Sequence, residues 1–435
     1  MPAAPGSKKA AAGPKLKPLV WQKVPKNRLK GTVWGDLKEG ASAAADGGAA
    51  SATAISLPSY DVARFESLFL AKPVVKAAPL SRAASASSTS SASVSLLDAK
   101  RANNIAIILS RLKIPFDEIA RAVVDLDAEV LSVDAVTALQ KCVPLPEEVE
   151  LVNAADPATL GYAERFVLAL GGVPRLKARL DAFQFKHGFN SALHRLWAET
   201  QTLTSASTQL LDSVPLKTLL GMLLHLGNAL NAGSHRGGAE GFKLECLTRL
   251  AELKTNGTQG SLLQFAVAAA AGLEAEGGAA SSASASTAPL VSFTEELKAV
   301  RSAAKLSSSE LSEEVARLRA GLNQIRDELT ALGKEREKVP SEGDAAACAR
   351  HVAAERFLLI MQPFYDGCAP QLEGLESEMS GMAEAQARMK TYFSEEAKAS
   401  IDELYSRWAT FLGHVDVAVT NSNEDRKRAQ SRKDA

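Results

Sequence analysis

Leu311, Val315, Leu318, Leu322, Ile325, Leu329 and Leu332 recur in alternating steps of four and three residues. Apolar residues at that spacing make a narrow seam that is satisfied only by another helix, so this stretch is predicted to be a long coiled-coil helix rather than a broad-striped globular one. Beyond a break at Val339-Pro340, Leu372, Leu375, Met379, Met382 and Met389 resume the spacing, with Gln386 on the seam. Ser394-Glu395-Glu396 reads as an N-cap with an acidic first turn for a last helix carrying Ile401, Leu404, Trp408, Phe411 and Val415. The C-terminal third is therefore expected to be helical hairpins or a bundle. It ends in a basic tail (Arg426, Lys427, Arg428, Arg432, Lys433) that reads as a solvated helix end.

The rest of the chain agrees with an all-α class. Aromatics make up 5% of the 435 residues, and Val/Ile/Thr alternation of the kind strands need is rare. At about 150 residues per domain, this length allows about three domains or one elongated architecture. Lys plus Arg (50) equals Asp plus Glu (50), so no global field favours nucleic acid or an acidic membrane. The longest apolar run, residues 262–273, is interrupted by Gln264 and falls short of the roughly 18 residues a membrane span needs. With no apolar leader in the first residues, the chain is expected to be soluble and intracellular. Cys142, Cys246, Cys348 and Cys368 form no close pair and read as reduced, mostly buried thiols. Residues 39–53, 81–95 and 274–287 are Ala/Ser/Gly-rich and read as linkers or loop insertions.

The patterns that carry catalysis are missing. No GxxxxGK[ST] loop, strand-borne GxGxxG, HExxH or GxSxG occurs, and the six His build no ligand cluster. No metal, cofactor or catalytic residue is expected, and His225, on an apolar helix, reads as a hydrogen-bonded core histidine. The Gly-rich stretch over residues 227–242 follows a helix C-terminus, whose carbonyls repel anions. It reads better as a helix stop at Gly233 followed by a tight loop against which another segment can pack closely. Trp21 and Trp34 lie in a segment with Pro18, Pro25 and Gly31 that has no helical period and is too short to enclose two indoles. Such an arm needs a pocket supplied from elsewhere.

On the helix starting near Lys100, a 3.6-residue wheel puts Ile105, Ile108, Leu109 and Leu112 on the core face. Ile107 points away, among Asn103, Asn104, Ser110 and Arg111. A single exposed Ile is ordinary, and Lys254 by itself reads as a solvated lysine.

Several segments nonetheless resemble one family in its own order. GNALNAGSHRGGAEGFKLECLTRLAELK (227–254) resembles the central signature of the formin-homology-two domain, the actin-assembly domain of formins. PLVWQK and GTVW resemble its N-terminal lasso, and LLDAKRANNIAIILSRLKIPFDEI resembles its knob. LPEEVELV, AERFVLALGGVPRLKARLDAF and FTEELKAVRSAAKLSSSELSEEVARL resemble the segments that follow. The resemblance covers roughly residues 14 to 425. It departs from the family at Val20, where many members have His, and in its longer Ala/Ser insertions. The chain also has no Pro-Pro dipeptide, so profilin, which docks on polyproline helices, is expected to act only indirectly.

The resemblance implies an elongated helical architecture forming a head-to-tail ring dimer. It divides the chain into a disordered N-terminus (1–13), lasso arm (14–38), flexible linker with a short helix near 59–72 (39–95), knob (96–155), coiled-coil-region helices (156–205), post with the Ala/Ser-rich insertion 274–287 (206–290), C-terminal long helices (291–425) and basic tail (426–435). It implies that Ile107 and Lys254 contact actin, and that Trp21 and Trp34 dock on a partner's post at Gly227, Asn228, Asn231 and Gly233. The linker from about residue 73 to 95 has a coil reach of about 25 Å and an extended limit of about 80 Å, which suits a ring stepping along a growing filament. The expected function is nucleation of actin filaments and processive attachment to the barbed end, without enzymatic activity, in the cytoplasm and cytoskeleton. A dimeric coiled-coil scaffold that has lost productive actin assembly is the competing reading; a nucleotide-dependent enzyme using the Gly-rich loop is a third.

Overall fold

The computed structural model describes residues 16–17, 19, 21–38, 57, 60–69, 97–250, 252–256, 260–270, 293–338 and 344–433. The expected N-terminal disorder (1–13), the Ala/Ser insertion (274–287), the elastic linker (73–95), Val20 and the Val339-Pro340 break lie outside the described residues. The chain is all-α. Among the described residues there is no strand; isolated bridges pair Lys23 with Phe242 and Lys254 with Ser261.

The helices described in full include α1 (Val62–Leu68), α2 (Ala99–Leu109), α3 (Phe116–Asp125), α4 (Val133–Gln140), α5 (Pro146–Asn153), α6 (Tyr162–Gly171), α7 (Leu176–Asp212), α8 (Val214–Leu230), α9 (Leu247–Leu250), α10 (Leu262–Ala270), α11 (Lys298–Ala303), α12 (Ser308–Arg336), α13 (Ala345–Tyr392) and α14 (Ile401–Lys433). They fall into two compact units. One gathers Met1–Ala78, Glu199–Ser308 and Met379–Ala435; the other gathers Pro79–Ala198 and Ser309–Glu378. No single described helix is both long and apolar enough to cross a membrane.

In the second unit, α2, α3 and α5 pack on α6. Their core joins Ile105, Leu109, Ile119, Val123, Phe166 and Leu170 to Ile325 and Leu329 of α12 and Phe357 of α13. All seven seam residues of α12 are buried, as their spacing predicts. The seam is not a free-standing coiled coil, because its C-terminal end merges into this core. Near its midpoint α12 meets α7 and α13. Gly321 lies directly under the Phe185 ring, and Arg319 forks Glu376 at 2.8 and 2.5 Å. Where α13 runs through this unit, up to Glu378, Leu372 and Leu375 are buried; in its continuation within the first unit Met382, Gln386 and Met389 are buried and Met379 is half-buried. That helix continues through Pro363 and Pro370, which cannot donate to the preceding turn, and both face solvent, where water can serve the freed carbonyls.

In the first unit, α10 packs on α8 and α14, and α9 and α11 also lie on α14. Ser213 caps α8 by accepting from Leu216 N at 3.3 Å, and Pro215 in the first turn needs no amide partner. Two sequence expectations fail here. The cap of α14 is Ser400, with Asp402 and Glu403 in the first turn, not Ser394. Ser394 sits at φ 59 in the preceding turn, where its carbonyl accepts from Lys243 Nζ at 2.6 Å and Glu395 Oε1 accepts from Leu244 N at 3.1 Å. Those groups hold the 243–244 segment and are not available to start a helix. His225 is exposed rather than core, with its ring edge-on to Tyr60 at 5.5 Å.

Candidate functional site

α8 ends at Leu230, and Gly233, at φ +73, turns the chain into a loop that returns through Phe242. Asn228 braces that loop by a pair of 2.7 Å bonds, its Nδ2 donating to Ala239 O and its Oδ1 accepting from Ala239 N. The result is a shallow pocket floored by glycine. A Cβ on Gly227 would lie 2.3 Å from Trp21 Cζ3, and one on Gly241 would lie 2.7 Å from Trp34 Cγ. Phe242 stands between the two indoles, stacked on Trp21 at 5.6 Å and tilted against Trp34 at 4.5 Å.

The arm that fills this pocket belongs to the same chain. Trp21 is 6% exposed and Trp34 1%. Leu19 N donates to Asn231 Oδ1 at 3.1 Å, and Asn231 Nδ2 donates back to Leu19 O at 3.0 Å. Trp21 Nε1 donates to Arg236 O, Val24 N to Gly241 O and Lys243 N to Gln22 O, at 3.0 to 3.1 Å. Gln22 N reaches the Cys246 sulfur at 3.3 Å, and burial pushes that thiol's pKa up. Trp34 Nε1 has no hydrogen-bond partner among the described residues, so this indole acts through area and ring contact. Trp34 lies in a helical stretch over residues 33–38, where the sequence shows no helical period.

Polar contacts to Glu240 and Tyr392 hold the second half of the arm. Lys26 Nζ and Lys38 Nζ approach the two carboxylate oxygens of Glu240 at 3.1 and 3.0 Å and hold its carboxyl below the ordinary glutamate range. Tyr392 donates its phenolic proton to Asp36 Oδ2 at 2.5 Å, and burial, then the bond to that carboxylate, raises the phenol's pKa strongly.

Of the residues singled out from sequence, Trp21, Trp34, Gly227 and Asn231 meet in this one site. Asn228 and Gly233 shape the loop behind it. Ile107 lies elsewhere, on α2, and is 49% exposed. Ile105 and Leu109 of the same helix are fully buried, and Ile108 and Leu112 are half-buried, as the wheel places them. Lys254 is exposed, and its carbonyl accepts from Lys17 Nζ at 2.7 Å. Among the described residues no three metal-ligating side chains come together.

A glycine-floored loop at a helix stop, filled by an arm with two tryptophans, in an all-helical chain, is matched over residues 6–416 by the family model of the Formin Homology 2 Domain. The chain belongs to the formin homology 2 family. Formin-like protein 12 of Oryza sativa subsp. japonica is 30% identical to this domain over 423 residues, covering 95% of this chain and 23% of the relative. Formin-like protein 14 of Arabidopsis thaliana is 28% identical over 420 residues, covering 96% and 31%. Formin-like protein 20 of Arabidopsis thaliana is 33% identical over 322 residues, covering 73% and 18%. The chain thus spans less than a third of the length of each of these relatives.

Sequence reasoning missed several groups that shape this formin homology 2 domain. Glu240 and Tyr392 had no local signal, because their partners are hundreds of residues away. Arg101 forks Glu148 at 2.9 and 3.3 Å and donates to Val143 O at 2.7 Å, tying α2 to the start of α5. Arg179 is buried and donates to the carbonyls of Pro174, Val124 and Ala353 at 3.0, 3.1 and 2.5 Å, with its guanidinium over the Phe357 ring. Only the Pro146-Glu147-Glu148 opening of α5, an acidic first turn in which Glu148 Oε2 accepts from Leu145 N at 2.8 Å, could have flagged one member of these pairs.

Proposed function

We propose that this chain is a non-enzymatic actin-assembly module that nucleates filaments and stays at the barbed end as they grow, working in the cytoplasm and cytoskeleton. Membership of the formin homology 2 family supports the actin assignment. The observation that carries it is Ile107, a large apolar side chain 49% exposed on a helix whose Ile105 is fully buried and whose Ile108 is half-buried against the core. In this reading residues 96–155 are the knob, Ile107 is its actin anchor, and Lys254 contacts actin from the post (206–290). An apolar anchor at the centre of an interface commonly contributes about 2 kcal/mol or more, a factor of about 30 in affinity.

The arm and the pocket would make the dimer. Because the lasso (14–38) and its pocket are carried by the same chain, two copies can exchange arms with no new chemistry, which gives a self-complementary two-fold contact. Trp21, Trp34, Gly227, Asn228, Asn231 and Gly233 are then dimer-interface residues. Profilin would act only indirectly.

Pyrene-actin assembly with Ile107→Ala tests the reading. Loss of most assembly with unchanged helix content and melting temperature is expected, and Lys254→Asp should weaken assembly more than Lys254→Ala. Wild-type assembly by a folded Ile107→Ala protein would remove Ile107 from the site. Single-filament imaging with labelled protein reads processivity directly.

A further inference from the structure

The contacts between arm and pocket are of two kinds. The indoles on the glycine floor and the bonds between Asn231 and the Leu19 backbone would accept any arm with leucine and tryptophan at those places, because they read shape and backbone. The charge contacts are selective. Lys26 and Lys38, near opposite ends of the arm's second half, converge on separate oxygens of one carboxylate, Glu240. The Glu240 side chain is 25% exposed, against 82% for Lys26 and 62% for Lys38, so the pocket's charge is held in place while the arm's lysines reach it from solvent. An arm with a carboxylate at either position would bring like charge onto Glu240 at hydrogen-bond range, where the local cost of the wrong charge exceeds the modest gain from the right one.

We propose that the Lys26–Glu240–Lys38 clamp is a recognition code that decides which arm a pocket accepts, and that the partner it selects is a second copy of this chain. The inference rests on the arm exchange proposed above. The code is reciprocal: each chain carries the cationic half on its arm and the anionic half in its pocket. Inverting one half in one chain and the other half in another chain therefore leaves both contacts of a mixed dimer complementary, while each variant's contacts with itself become repulsive.

The test uses the full chain in four forms: wild type, Glu240→Lys, Lys26→Glu/Lys38→Glu, and the triple variant carrying all three changes. By sedimentation, each partial variant alone should dimerise about tenfold or more weakly than wild type. Mixed with different tags, the two should form heterodimers almost exclusively. The triple variant should recover self-pairing, which separates a lost code from a lost fold. Alkylation of Cys246, which lies beneath Gln22, supplies a second readout of arm docking that works within one chain or between two. Labelling should be fast in each partial variant alone and slow in the mixture and the triple variant. Homodimers of wild-type strength in both partial variants, or statistical pairing in the mixture, would overturn the code. A wild-type chain that stays monomeric would instead remove the arm exchange. The Cys246 rates would still judge the clamp, and equal protection in all four forms would refute it.

Discussion

The side-chain amide of Asn231 and the backbone of Leu19 exchange two hydrogen bonds, 3.1 Å from Leu19 N to Oδ1 and 3.0 Å from Nδ2 to Leu19 O. The amide thus imitates one rung of a strand pairing in a protein with no described strand, and it serves a backbone that is buried where water cannot. Only a side chain with a donor and an acceptor at that reach can do both.

Asn231→Ala is accordingly predicted to leave Leu19 N and O unpaired in the pocket, at a cost of about 1–3 kcal/mol per buried group. Asn231→Asp keeps the acceptor but removes the donor and buries a charge, and should be at least as damaging. Hydrogen exchange of the Leu19 amide reads the result. Protection equal to wild type in both variants would show that the arm is held without this pair.

Gly227→Ala should expel Trp21, because the added methyl would sit 2.3 Å from its ring. A buried Trp removes about 150–250 Å² from water, about 4–6 kcal/mol gross at roughly 25 cal/mol/Å². Gly233→Ala adds only backbone strain of about 1–2 kcal/mol at φ +73, with nothing within 4 Å of the new atom. Tryptophan emission should therefore shift to the red in the first variant and stay in place in the second. Equal shifts would mean that the loop, not the contact, holds the arm.

Acid should loosen the α2–α5 junction through Glu148. Burial alone would raise its pKa, but the Arg101 fork, the Leu145 N–H and the Arg101 charge outweigh burial and hold it below 4.5. A depressed carboxyl contributes stability above its unfolded pKa and loses it as pH falls through the folded value. Wild type should therefore lose stability between pH 4.5 and that lower value, and Glu148→Gln should lose less over the same window. Urea midpoints across that range check this; parallel curves for the two proteins would exclude Glu148 as the source.

Arg179 is a buried cation whose pKa is pushed down to about 10 by burial, and its hydrogen bonds go to carbonyls rather than carboxylates. Replacing buried ions by apolar groups can stabilise a protein, but here three carbonyls would be left without their donor. Losing three charge-assisted bonds outweighs the relief of desolvation, so Arg179→Met should destabilise by about 2 kcal/mol or more. A urea midpoint equal to or above wild type would reverse that balance.

Much of the helical framework was legible because periodicity is local. Leu311 through Leu332 announce a seam by spacing alone, and Ile105, Ile107 and Leu109 sort into inside and outside on one wheel. The family was legible for a related reason: GNALNAGSHRGGAEGF is a continuous run. What spacing could not give was partnership. The Ser394 cap failed because Lys243 and Leu244, about 150 positions away in the chain, claim its turn. His225 failed because an apolar helix does not state which of its sides meets the core.

The sequence by itself determined the all-α class, the seam, the exposed Ile107 and the need of Trp21 and Trp34 for a pocket, since each depends on residues within a turn or two of one another. The tertiary structure decided that Gly227 and Gly241 floor that pocket, that Asn231 serves the Leu19 backbone, and that Lys26 and Lys38 converge on Glu240. Those relations join segments about 200 residues apart. Their energies come from close approach and exclusion of water, which exist only once the chain has folded.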